Sequence, residues 1–304
     1  MLSPVFTRAI ILISFVELLA VAGHTEAPTA VTIATVTVTA TATSTTDTTS
    51  LPSSSPTLVN DPNVYVYGSR NVSIMDWQDL QNNSSDLPFI APFTNGGAML
   101  TDWNNTDLKE PLNMILSAHS SPSVLQPQPY GEFELWLESV NFGPGCLGLS
   151  LSSGYMSVDL GGGRVNESGV MRYNYQDPYF GTCKETFDGG NHFRFFNQTE
   201  TGALFFSVSS ELDLKEKHDI SPNGYNNGRD WLAENATINR LTIARTAYTY
   251  STTVQYVRGM LQEGAQGINH NISLDGLVAV LTVKSDQWDE KAGVMKLPNA
   301  GCHR

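Results

Sequence analysis

Short apolar runs and period-two alternation dominate the chain from residue 61 onward. Val64 to Tyr67, Leu112 to Leu116, Phe193 to Phe196, Leu204 to Val208, Tyr248 to Val257 and Leu277 to Val283 predict strands. The last run is apolar on both faces until Thr282, as a central strand covered from both sides requires. Phe133, Trp136, Leu137 and Val140 fall at helical spacing on one stripe, and Gly143-Pro144-Gly145 ends that helix. A second helix is predicted to begin near Asn227. The Asn227 side chain would cap it, Asp230 would sit at the positive end of its dipole, and Trp231 and Leu232 would turn inward. Between the Phe193 and Leu204 runs, the polar stretch Asn197 to Gly202 reads as a hairpin tip bearing a glycan. Strands outnumber helices. The expected fold is therefore α+β or three-layer α/β, a sheet-dominated single domain with few helices over residues 61–304.

The N-terminal residues follow another pattern. Arg8 precedes an apolar stretch from Ala9 to Ala22 that closes on small residues, which predicts a signal peptide over residues 1–22, with a signal anchor as the alternative. The stretch is shorter than the roughly 20 apolar residues a membrane helix needs. With a polar C-terminal tail, no membrane span is expected after signal cleavage. Residues 23–60 are almost entirely Thr, Ala, Val, Ser and Pro, without Lys, Arg or aromatic side chains. Such a segment buries too little surface to offset its ordering entropy, and Ser/Thr with Pro marks an O-glycosylated stalk; the alternation from Val31 to Thr39 leaves a strand as the alternative.

Asn-x-Ser/Thr acceptors at Asn71, Asn82, Asn83, Asn104, Asn166, Asn197, Asn235 and Asn271 agree with export to an extracellular or cell-wall setting. In an oxidising compartment, three cysteines predict one bridge and one odd thiol. Cys146 is paired here with Cys183, which leaves Cys302 free, intermolecular, or the true partner of one of the other two. The formal net charge of -13 would repel nucleic-acid phosphate and anionic membranes.

No nucleophile elbow, zinc-protease helix, P-loop or Cys-x-x-Cys occurs, and no His/Cys/carboxylate spacing matches a closed zinc site, so neither a metal nor a cofactor is expected. Two polar segments remain. On a strand, His192 and Arg194 share one face while Phe193 and Phe195 share the other, which lets imidazole and guanidinium hold an anion together. A loop carrying His218 and Asp219, followed by Arg229 and Asp230, would complete a polar site if it folds over that strand. The plainer reading makes His192 and Arg194 a solvated strand face and Asp230 a helix-start residue.

These segments carry a resemblance. Glu110-Pro111-Leu112-Asn113-Met114-Ile115-Leu116-Ser117, Asn191-His192-Phe193-Arg194-Phe195-Phe196, Gly202 to Phe206, His218-Asp219-Ile220-Ser221-Pro222 and Arg229-Asp230-Trp231-Leu232 occur in an order that resembles the LssY-like C-terminal domain, over about residues 107–285. The ending around Gly267 to His270 and Asp275 to Val283 is similar to uncharacterised secreted fungal proteins of that type. The resemblance implies no activity. The cysteines, stalk and sequons depart from the pattern of bacterial relatives, whose domain accompanies membrane segments or a phosphatase domain.

The function expected from the sequence is a secreted, non-catalytic binding or surface module that takes a cell-wall glycan or a small anionic ligand. The alternative is a secreted hydrolase with His192 or His218 as general base. The hydrolase needs the two rings within about 8 Å across a concave pocket with an acid bonded to one of them. A structural wall glycoprotein would have no pocket.

Overall fold

The computed structural model describes residues 63–67, 70–83, 86–103, 109–127, 131–148, 156–238, 241–242, 248–286, 288–289 and 294–295. All belong to one compact unit, Pro52–Arg304. The predicted signal peptide and stalk, Asn104 and Cys302 lie outside the described residues.

In chain order the elements are β1 (Val64–Tyr67), β2 (Arg70–Asp76), α1 (Trp77–Asn83), β3 (Asp102–Trp103), β4 (Met114–Leu116), α2 (Phe133–Ser139) and β5 (Phe142–Gly143). There follow β6 (Met156–Asp159), β7 (Arg164–Asn166), β8 (Gly169–Tyr173), α3 (Gly181–Asp188), β9 (Gly190–Asn197), β10 (Leu204–Glu211) and α4 (Gly224–Ala236). The chain continues through β11 (Leu241–Thr242), β12 (Thr249–Arg258), β13 (Leu277–Ser285), β14 (Trp288–Asp289) and β15 (Val294–Met295). One large sheet runs in the order β1-β2-β12-β13-β4-β10-β9-β8-β5, with β11 beside β12, and a small sheet runs β3-β6-β7. The large sheet is antiparallel except where β2 meets β12 and β4 meets β13. The unit is thus sheet-dominated, and no described helix is long and apolar enough to cross a membrane.

β13 shows why the sheet forms. Leu277, Ala279, Leu281 and Val283 face one apolar cluster with Trp136, Phe193 and Phe206, whereas Val278 and Val280 face another with Phe89, Phe196 and Phe205. Each large side chain removed from water contributes roughly 1.5–3 kcal/mol, and period-two alternation delivers that on both faces. The predicted stripe of α2 is buried as expected: Phe133, Trp136, Leu137 and Val140 are all enclosed.

Three expectations need correction. The first concerns β4, which begins at Met114 instead of Leu112 because the Asn113 side chain takes over the ladder. Its Oδ1 accepts from Val208 N at 2.9 Å, and its Nδ2 donates to Val208 O and Tyr225 O, both at 2.9 Å. The second concerns the hairpin tip, which joins β9 and β10 as expected but is not polar surface throughout. Asn197 is exposed, but the buried Gln198 amide accepts from Ile90 N at 2.9 Å and donates to Ile90 O at 2.8 Å and Leu160 O at 3.0 Å.

The third concerns α4, which starts at Gly224 and is not capped by Asn227. Asn223 precedes it in the left-handed region (φ 58) without a side-chain cap, and the entry turn is fixed instead by Ser221 N donating to Ser210 O at 2.9 Å. Packing sets this start. A Cβ on Gly228 would stand 2.6 Å from the Ser209 carbonyl carbon, and one on Gly224 would stand 2.6 Å from Ser210 O, so only glycine lets α4 lie on the β10 backbone.

Asp230 is consequently buried instead of standing at a helix start. Fully enclosed Arg229 donates Nε to Asp230 Oδ1 at 2.7 Å, Nη1 and Nη2 to the two oxygens of Asp275 at 2.7 Å each, and Nη1 to Leu277 O at 2.8 Å. Tyr65 and Tyr256 donate to Asp230, and their rings flank the guanidinium at 5.7 and 5.3 Å. The network ties α4 to β1, β12 and the turn entering β13. Burial pushes the Asp230 carboxyl above its ordinary value, with Arg229 offsetting only part of that. Burial acts on Asp275 in the same sense, but the Arg229 guanidinium and its hydrogen bonds outweigh it and hold Asp275 below its ordinary value.

Eight acceptor sites were read from the sequence. Of those described, Asn71, Asn82, Asn83, Asn166, Asn197 and Asn271 are exposed. Asn235 differs, because the nitrogen that would carry sugar donates to Val140 O at 2.6 Å.

Two outcomes follow from the packing. Gly228→Ala should destabilise the protein by roughly 1–3 kcal/mol, read from the denaturant midpoint at constant slope, as overpacking does. A folded carboxyl held below its ordinary value adds stability above the ordinary carboxylate range and loses it as pH falls through the lower folded value. Asp275→Asn should therefore unfold more easily than the parent at pH 7, with the gap closing on acidification. A gap that is constant with pH would refute this linkage.

Candidate functional site

His192 and Arg194 do share a face of β9, and the sheet register supplies their neighbours. Arg172 on β8 lies opposite His192, which in turn lies opposite Ser209 on β10; Arg194 lies opposite Ser207, and Glu211 lies opposite Gly190. Onto this face come Glu185 from α3, Glu167 between β7 and β8, Glu110 ahead of β4, and His218 from the turn after β10. His218 and Lys217 both hold left-handed backbone (φ 58 and 59), a conformation that costs energy in non-glycine residues.

Carboxylates outnumber cations in this buried cluster. Arg194 Nη1 donates to Glu167 Oε2 at 2.9 Å, its Nε stands 3.6 Å from Glu110 Oε2, and its guanidinium lies over Trp103 at 5.8 Å. Arg172 Nη1 donates to Glu185 Oε2 at 2.6 Å and stands 3.6 Å from Glu211 Oε2. Glu211 lies between the imidazoles, 3.5 Å from His192 Nε2 and 3.6 Å from His218 Nδ1. Even with Glu211 neutral, three glutamates face two arginines, which opposes the binding of a further anion.

Burial sets the protonation of the pair at the centre. It holds the His192 imidazole well below its ordinary value, with Arg172 and Arg194 acting in the same sense. Burial pushes the Glu211 carboxyl up to about 8, Arg172 offsetting part of this and Glu185 adding to it. A neutral imidazole beside a protonated carboxyl is therefore favoured near neutrality over an ion pair.

The six sequence candidates fall into three places. His192, Arg194 and His218 meet in this cluster. Arg229 and Asp230 belong to the separate network beneath α4, and Asp219 is exposed, with His270 Nδ1 at 3.6 Å. Sequence reasoning missed Arg172, Glu185, Glu211, Glu110 and Glu167. The available signal was Ser207, Ser209 and Glu211 at spacing two on β10, which puts them on the face of His192 and Arg194 once the hairpin is paired.

Ser209, His192 and Glu211 imitate a catalytic triad in composition only. Ser209 Oγ is 3.4 Å from Nδ1 and 3.5 Å from Nε2 of the same ring. The two nitrogen lone pairs diverge, so an oxygen nearly equidistant from both lies on neither hydrogen-bond axis. Glu211 faces Nε2 at 3.5 Å, too far for the hydrogen bond by which an acid orients a triad imidazole. Ser209 and His192 are enclosed, and the clefts at α2 and α3, at Leu80, beneath α4 and at Phe93 have neither side chain in their walls. The two histidines thus share an acid, but neither lines any of these clefts.

The largest of these clefts, 460 Å³, lies between α2 and α3. Glu134 and Glu138 of α2 form one wall, Asn174 and Thr182 add polar groups, and Leu147 and Tyr179 stand at 66 % and 78 % exposure. The Cys146–Cys183 disulfide, with 4.3 Å between Cα atoms, joins the segments that carry Leu147 and Thr182. No basic side chain is among its described lining residues.

No family model, curated protein or solved structure matches the chain. A fluorophosphonate probe should leave the folded protein unlabelled at Ser209, as read by intact mass. Stoichiometric labelling that is lost in Ser209→Ala would restore the hydrolase reading.

Proposed function

We propose that the chain is an exported, non-catalytic binding module whose ligand surface is the cleft between α2 and α3, and that its ligand is a neutral oligosaccharide. The cleft itself carries this reading. Its volume falls within the roughly 300–1,000 Å³ of small-molecule sites, and it combines an exposed aromatic ring with carboxylates. Sugar hydroxyls donate to carboxylates while the C–H face of a pyranose packs on an aromatic ring, and the acid-lined wall disfavours the small anionic ligand considered from sequence. The exposed acceptor asparagines, the disulfide and the N-terminal sequence support export. An α+β class and descent shared with the LssY-like C-terminal domain belong to the same proposal. The motifs that resemble that family supply β4, β9, β10 and α4.

Calorimetry with a β-linked glucose hexasaccharide and an N-acetylglucosamine hexasaccharide tests the reading. One of the two should bind, Tyr179→Ala should weaken that binding about tenfold, equivalent to about 1.4 kcal/mol, and Glu211→Gln should leave it unchanged. Binding of neither probe, or binding indifferent to Tyr179→Ala, would count against it.

A further inference from the structure

We infer that Glu185, His192 and Glu211 form a site for one divalent transition-metal ion, with His218 as a fourth ligand on its more open side. The three first-named residues each present a ligand atom, and those atoms all lie within 4.8 Å of one another. A single ion bound at about 2.0–2.2 Å by nitrogen and oxygen needs its ligand atoms no more than about 4.4 Å apart, so side-chain adjustment on binding completes the site.

Unfinished hydrogen bonding is the independent observation. Glu185 is fully enclosed, yet only its Oε2 is engaged, by Arg172, and Oε1 has no hydrogen-bond partner. Glu211 Oε2 and His218 Nδ1 are also without hydrogen-bond partners although they stand only 3.6 Å apart. His192 has only its long contacts to Ser209 and Glu211. Buried polar atoms are almost always satisfied, and these left-over atoms belong to residues that present ligand atoms within 4.8 Å of one another or, for His218, 3.6 Å from Glu211. The Arg229 network shows that this fold can close a buried charge cluster completely. An ion would satisfy Glu185 Oε1, Glu211 Oε2 and an imidazole nitrogen at once, and Arg172 would serve as the outer partner that orients the Glu185 carboxylate.

Mixed imidazole and carboxylate ligands select a zinc-like or manganese-like ion over calcium, which takes six to eight oxygens. Spacing along the chain could not show the site, because its ligands come from α3, β9, β10 and the turn after β10. It is a different site from the α2–α3 cleft, so zinc binding without sugar binding, or the reverse, separates the two proposals.

The full chain, stripped with EDTA and titrated calorimetrically with Zn²⁺, should take up one equivalent, and its thermal midpoint should rise with free zinc. Excess Ca²⁺ should not displace the zinc. Glu211→Gln and Glu185→Gln should each lower zinc affinity at least about 100-fold, and His218→Ala about tenfold, since even outer-sphere partners are worth 10–100-fold. Should the glutamate variants fail to fold, Co²⁺ on the unaltered chain decides the matter through visible bands of an ion ligated by nitrogen and oxygen. Absence of stoichiometric zinc, wild-type affinity in Glu211→Gln, or Co²⁺ bands absent from the unaltered chain would each overturn the inference.

Discussion

The ion pair between Arg229 and Asp275 is the contact on which the arrangement of elements rests. A guanidinium taken out of water is tolerable only when its donors are met, and here Asp230, Asp275, Leu277 O and the Tyr65 hydroxyl meet them. Removing one partner from such a pair costs about 3–5 kcal/mol, a large part of the roughly 5–15 kcal/mol that holds a typical domain together. The network reaches from β1 to the turn before β13, so it joins the two ends of the folded unit to α4. α4 in turn presents Gly228 O to the Asn191 side chain at 2.9 Å and Tyr225 O to Asn113 at 2.9 Å. The strands that carry His192 and Glu211 are therefore positioned through it.

The second charged cluster is built differently. Arg194 Nη1 is met by Glu167, but Arg194 Nε and Glu167 Oε1 lack hydrogen-bond partners, as do Glu185 Oε1, Glu211 Oε2 and His218 Nδ1. Buried groups left in that condition have a cost, and a fold retains them where something else completes them. The α3 helix links this cluster to the surface: Glu185 faces the charges, while Thr182 and Cys183 belong to the braced side that borders the cleft.

Most of the framework was legible in the sequence because it is written in periodicity. The β13 run, the β9 and β10 hairpin and the α2 stripe each repeat a burial pattern that two or four residues already announce. Side chains acting in place of backbone were not legible. Asn113 and Gln198 have no periodic signature, and their roles exist only once Val208, Ile90 and Leu160 arrive from elsewhere. The start of α4 was misplaced for a related reason. Asn227 looks like a cap locally, whereas Gly224 and Gly228 are fixed by their approach to β10. His192, Arg194 and His218 were found because the first two share strand parity and all three stand in polar segments. Glu185 and Arg172 were not found, because sheet order and helix docking bring them in.

Anomalous diffraction from crystals grown with zinc tests most directly whether one buried cluster is closed and the other incomplete. The account predicts a single strong peak within about 2.0–2.2 Å of the Glu185 and Glu211 carboxylates and the His192 imidazole, with none at Arg229. A map without a peak there, in which Glu185 Oε1 and Glu211 Oε2 have found partners within the protein, would contradict it.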